Sequence, residues 1–419
     1  MTPASSLESQ HPDRSNRRRV QYDPELILSL DWAALTLCIL EIPLLAASNY
    51  RANSVPGTAG ISIAVLVYFL VRCIFRTRVR VVWLACLLGT AGGCVAMLAV
   101  LQFSRASTRL QEIGFVKLLP FRSRLIHPVP GWLPGESFTA LLLALPFACA
   151  AAAYPWRKQS LPYRRVGAVV ALLPTIVIVS GLCLSLSRAV FWSTVLFLIV
   201  TCSLMTAYRL VSVKAGSALL ASSFAGLVVV LTVASAFYPG IFKAYLGRQV
   251  SQVRSTQGRT VIWSHSLELV RSHPFWGVGS SNAALFLLSS ADEQDTTGFA
   301  SRSFSLPVQI LVEKGIIGFA LYAAFLILVA REFHKSMKSG PAQSKLSSTR
   351  EGPGSRASRK SAEDSRLESQ IAGKATNCGF AAGIIAVLFR ELMYSSLFEH
   401  TLTLSLFMAL VALVCRREQ

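Results

Sequence analysis

Between Val166 and Ala207 the chain reads VGAVVALLPTIVIVSGLCLSL, then Ser187-Arg188, then AVFWSTVLFLIVTCSLMTA, and Arg188 is the single charged residue in the stretch. Each apolar run is close to the roughly 20 residues that a membrane-spanning helix needs. No water reaches the lipid-facing backbone there, so each run must satisfy its own amides as an α-helix. Only Ser187 and Arg188 separate the two runs, which therefore turn back on each other at a membrane boundary.

Working outward, eight further stretches have the same character. They run from Leu26 to Ala47, Thr58 to Phe75, Val79 to Phe103, Phe138 to Tyr154, Ala215 to Phe237, Leu306 to Ala330, Ala375 to Tyr394 and Leu397 to Cys415. The fold class is thus all-α, a polytopic transmembrane helical bundle of about ten spans. With the N-terminus in the cytoplasm, the inside segments hold Arg17–Arg19, then Arg72, Arg76, Arg78 and Arg80, then Arg157, Lys158, Arg164 and Arg165. Arg209 and Lys214, the segment from Arg331 to Lys374, and Arg416 and Arg417 complete the set. Every inside segment is basic, as the positive-inside rule requires, and ten spans return the C-terminus to the cytoplasm. The reading is a multi-pass protein of a bacterial inner membrane with both termini cytoplasmic.

The organisation follows. Residues 1–25 form a cytoplasmic tail, 26–237 hold spans one to seven, and 238–305 form a partly helical extracytoplasmic loop. Residues 306–330 are span eight, and 375–419 hold the last two spans and a short tail. The intervening 331–374 is rich in Ser, Gly, Lys and Arg, which predicts a disordered cytoplasmic loop.

The composition agrees. A 419-residue chain with 15% charged residues and a mean hydropathy of +0.51 has too little polar surface for a water-soluble fold. The net charge of +20 falls in short clusters between apolar runs, not in a stripe with interleaved aromatics, which sets nucleic acid aside and leaves membrane lipids as partners. The nine cysteines lie in or beside apolar runs without CxxC spacing, so they read as small core residues. No cluster has metal-ligand spacing, and neither metal nor cofactor is expected.

By this topology the outer face carries cations that orientation does not require. Arg105, Arg109, Lys117, Arg122 and Arg124 follow span three; Lys243, Arg248, Arg254, Arg259, Arg271 and Arg302 lie between spans seven and eight. Long translocated loops tolerate arginine, but Arg188 sits at the boundary with almost no loop around it, which marks it as a functional candidate.

Two stretches carry a pattern. One is Ser185-Leu186-Ser187-Arg188-Ala189. The other runs from Gly258-Arg259-Thr260-Val261-Ile262-Trp263 to His273-Pro274-Phe275-Trp276-Gly277-Val278-Gly279, and Glu313-Lys314-Gly315-Ile316-Ile317-Gly318 follows it in span eight. In this order the motifs resemble the O-antigen ligase and polymerase family, bacterial membrane glycosyltransferases that use polyprenyl-diphosphate-linked sugars. The resemblance covers roughly Val166 to Ala330. It implies that Arg188 and Arg259 grip the diphosphate of the lipid-linked glycan donor and stabilise charge on the leaving group. Ser187, Arg254, His265, Glu268 and His273 are the candidate substrate-binding residues around them, and the acceptor is a glycan or a lipid-linked molecule.

The residues themselves add detail. Ser255 or Thr256 would cap a helix starting near Gly258, with Arg259 in its first turn, where free amides favour anions. Gly277 and Gly279 would permit a tight turn after Pro274. His265 and Glu268 share a helix face, either on the acceptor side of the site or as an exposed polar pair. His273 serves as a turn residue or a base, and Asp292, Glu293 and Asp295 as acceptor contacts or a solvated loop. Arg390 and Glu391 are expected to pair with each other.

The family commonly has a His-Asn pair nine residues ahead of the Glu of Glu-x-Gly. Here Phe304 and Ser305 stand there. The departure leaves the general base unassigned and tilts the reading toward a surface-polysaccharide polymerase over a ligase. A transporter or flippase of lipid-linked glycans is the alternative, and would need charges along a mid-membrane path. Asp31 and Glu41, the only charges well inside span one, do not make such a path.

Overall fold

The computed structural model describes residues 24–48, 50–75, 77–113, 137–153, 161–184, 188–237, 253–283, 285–286, 305–338, 355–393 and 401–415. Among these there are eleven helices and no strand. They are α1 Pro24–Ala47, α2 Arg51–Ile74, α3 Arg78–Ile113, α4 Ser137–Ala153, α5 Leu161–Leu184 and α6 Arg188–Ala207. Then come α7 Val213–Phe237, α8 Val253–Ser272, α9 Leu306–Lys338, α10 Ser355–Met393 and α11 Thr401–Val414. Seven segments, within α1, α2, α3, α6, α7, α9 and α10, are long and apolar enough to cross a membrane. Three shorter apolar segments, Phe138–Ala152, Leu172–Cys183 and Thr401–Val414, fall on the remaining stretches expected to span.

The short helices α4 and α11 form the centre. A helix that is apolar all round has no face to offer water and is buried by its neighbours. In α4, Leu141 to Ala148 are buried without interruption, and in α11 Phe407 to Val414 are. Around this centre α11 packs on α2 and α4, α3 on α4 and α5, α10 on α4 and α6, α1 on α2 and α9, and α8 on α9. Small residues bring helices close, as van der Waals packing in lipid demands. A Cβ on Gly89 would meet the Ala148 backbone at 2.8 Å, and one on Gly92 the Ala144 Cβ at 2.6 Å. Large apolar side chains such as Trp83, Leu87, Leu173, Val229 and Ile327 remain exposed on the perimeter. Only a hydrocarbon solvent makes that surface stable.

Three expectations are corrected. The segment 331–374, read as disordered, is helical at both ends: α9 continues to Lys338 and α10 begins at Ser355, leaving 339–354 outside the described residues. Composition gave no apolar face there, but helix already started in the flanking spans extends without a new nucleation cost. Likewise α3 continues past Phe103 to Ile113, so the backbone of Arg105 and Arg109 is helical. Finally α8 opens at Val253, placing Gly258 inside it and Arg259 in its second turn. The helix start proposed near Gly258, and the amide cluster it would have offered Arg259, are not found.

Candidate functional site

The helix α9 is broken at Gly315, whose φ of 63° and ψ of −168° suit glycine alone. A break in a membrane helix frees carbonyls and amides that need partners. The loop after α8 supplies them. Val278 N donates to Val312 O and Gly279 N to Glu313 O, both at 2.9 Å, while Ile316 N donates to Pro274 O at 2.8 Å. The His-Pro-x-x-Gly-x-Gly and Glu-x-Gly motifs are therefore two halves of one backbone junction.

The glycines are required on both sides of it. Gly277 and Gly279 have φ of 66° and 95°, as their expected turn demands. A Cβ on Gly277 would stand 2.5 Å from Val312 O, and one on Gly315 would overlap the Phe275 carbonyl. The chain then delivers Ser280 and Asn282 into the bundle, where both are buried.

At that point a polar network crosses four segments. The Glu41 carboxylate of α1 forms an ion pair with Lys314 Nζ of α9, with side chains 2% and 6% exposed. Ser280 Oγ donates to Glu41 Oε2 at 2.6 Å and accepts from Lys314 Nζ at 2.9 Å. Thr58 Oγ1 of α2 also reaches Glu41 Oε2, at 3.4 Å. Asn282 Nδ2 lies 2.7 Å from Ser48 Oγ, 3.0 Å from Ser54 Oγ and 2.9 Å from Val278 O. Beside the ion pair a small cleft opens between α1, α2, α9 and α11, with largely apolar walls that include Leu37, Ile61, Ile310 and Phe407.

None of these network residues was among the sequence-derived site candidates. The signal was present: a Glu and a Lys, each deep in an apolar span, need each other because an unpaired charge there is too costly. What the sequence could not supply is that positions 41 and 314 are neighbours.

The predicted site residues fare as follows. Arg188 opens α6, and Arg254 and Arg259 lie on α8, but the side chains of all three are outside the described residues, as is Ser187. His265 Nδ1 and Glu268 Oε2 are 3.9 Å apart on one face of α8, the first half-buried at 38% exposure and the second exposed at 81%. His273 directly follows α8, accepts a bond from Gly277 N on its carbonyl at 3.1 Å, and keeps its ring at the surface beside Ser272 Oγ. Asp292, Glu293, Asp295 and Phe304 lie outside the described residues. Arg390 and Glu391 do pair, fully buried in α10. Among the described residues no group of three or more His, Cys, Asp or Glu side chains gathers as a metal site would.

No curated protein matches the chain. The segment from within α5 through the junction at Gly315 gives the opposite result: residues 173–323 match the family model described as O-antigen ligase.

Proposed function

We propose that this protein is a membrane glycosyltransferase that moves a glycan from a polyprenyl diphosphate donor to an acceptor hydroxyl on the extracytoplasmic face. The observation that carries the reading is the family match over residues 173–323, which contains all the motifs and the helices that bear Arg188 and Arg259. In the transfer, the acceptor oxygen bonds to the anomeric carbon as the bond to the diphosphate oxygen breaks. The polyprenyl diphosphate leaves with that electron pair, and the hydroxyl proton passes to a base. Arg188 and Arg259 hold the diphosphate, because guanidinium forks match phosphate oxygens and stay charged. Arg254, Ser187, His265, Glu268 and His273 line the approach of donor and acceptor. No divalent ion is needed when two guanidinium groups meet the leaving charge.

The test is transfer by purified protein from a defined lipid-linked oligosaccharide. Arg188→Ala or Arg259→Ala should lower the rate by roughly 10²- to 10³-fold, the usual consequence of losing one preorganised contact to developing charge. Membrane abundance should be unchanged, and chelator should leave transfer intact. Full activity in both arginine variants defeats the assignment.

The broken helix and the buried Glu41–Lys314 pair lend a second reading, a flippase of lipid-linked glycans, since discontinuous helices and buried charges mark transporters. Against it, the freed backbone of α9 is bonded to the loop and Glu41 is bonded on both oxygens, so neither lines a path.

A further inference from the structure

The segment that matches the family is not held by its own helices alone. The loop from His273 to Phe286 is tied to α9 by the backbone junction at Gly315, and separately to α1 and α2 by side chains outside residues 173–323. Glu41, itself bonded by Thr58, holds Ser280, while Ser48 and Ser54 hold Asn282. Glycine lets these surfaces meet: a Cβ on Gly57 would lie 2.5 Å from Ser281 Oγ, and one on Gly279 would lie 2.8 Å from Ser48 Oγ. The loop is continuous with α8, the helix that carries Arg254 and Arg259.

We infer that Glu41 and Lys314 are positioning residues for glycan transfer: their ion pair, bridged by Ser280, latches the loop after α8 onto α1 and so fixes α8 against the bundle. Glu41 is not itself a ligand group, because Lys314 occupies one carboxylate oxygen and Ser280 and Thr58 the other. Nor does the pair offer an anion site, since the Glu41 charge cancels that of Lys314. A buried ion pair gains little over apolar side chains in stability, and its best-attested use is to specify one arrangement. Here the arrangement specified is that of the loop, which without the latch keeps, besides the α9 junction, only the Asn282 bonds to Ser48 and Ser54.

The kinetic part of this inference rests on the transferase reading; the structural part does not. The experiment takes the full chain in nanodiscs, with spin-labelled noncanonical residues in place of Leu267 on α8 and Val55 on α2, both exposed. The double variant Glu41→Leu/Lys314→Met removes both charges together. Its thermal stability should match the parent, while the label distance distribution should broaden or shift. Turnover should fall about ten- to a hundredfold with the donor KM within about twofold, as misplacement of a catalytic group predicts. Should the double variant not fold, Ser280→Ala, which deletes only the bridging hydroxyl, carries the same two readouts. An unchanged distance distribution overturns the latch, and an altered distribution with unchanged turnover overturns the positioning role. If the parent transfers nothing from the donor, the transferase reading fails, and the latch is then judged on distance alone.

Discussion

The first helix carries two acids, Asp31 and Glu41, and the two find their cations in different ways. Asp31 meets Arg72 of the neighbouring α2 at 2.7 Å, with the Tyr68 hydroxyl donating to the same carboxylate oxygen at 2.8 Å. The Arg72 and Asp31 side chains stay 18% and 28% exposed. That cluster needs nothing beyond one helical hairpin. Glu41 meets Lys314 from a helix far along the chain, through a loop serine, in a place almost closed to solvent. The first pair is a local arrangement near one end of α1 and α2. The second exists only when α1, α9 and the loop are brought together, so it reports on assembly.

The contrast makes graded predictions. Removing one partner of the distant pair, by Lys314→Met or Glu41→Leu alone, should cost about 3–5 kcal/mol because a charge is left buried and uncompensated. The double replacement should recover most of that loss. Thermal unfolding in detergent checks both, and a single variant as stable as the double would break the contrast. Gly315→Ala comes next, at about 3 kcal/mol, since it strains the backbone and drives a methyl group into the Phe275 carbonyl; size-exclusion profiles after heating should show earlier loss of the folded peak. Asp31→Asn should cost about 1 kcal/mol or less, as partly solvated pairs do. A loss equal to that of Lys314→Met would erase the distinction between the two clusters.

Much of the architecture was legible because hydrocarbon is an uncompromising solvent. Ten apolar stretches had to be helices, and each falls on one. Gly277 and Gly279 were readable as turn glycines because few other residues accept positive φ. The pairing of Arg390 with Glu391 followed from the cost of an isolated charge in lipid. Other features were hidden for equally physical reasons. The helicity of 355–374 comes from propagation out of a packed span, which composition does not record. The start of α8 at Val253 overrode the cap expected at Ser255 or Thr256, a local preference of about 1 kcal/mol that tertiary contacts readily exceed. The Glu41–Lys314–Ser280 network depended on a loop entering the bundle, and no periodicity announces that.

The most direct test places purified protein in liposomes with a polyprenyl-diphosphate oligosaccharide and a candidate acceptor, and identifies the products by mass. A new glycosidic bond with release of polyprenyl diphosphate is expected, lost in Arg188→Ala and in Arg259→Ala. Donor that crosses the bilayer with its sugar–diphosphate bond intact, and no new glycan, would contradict the transferase reading.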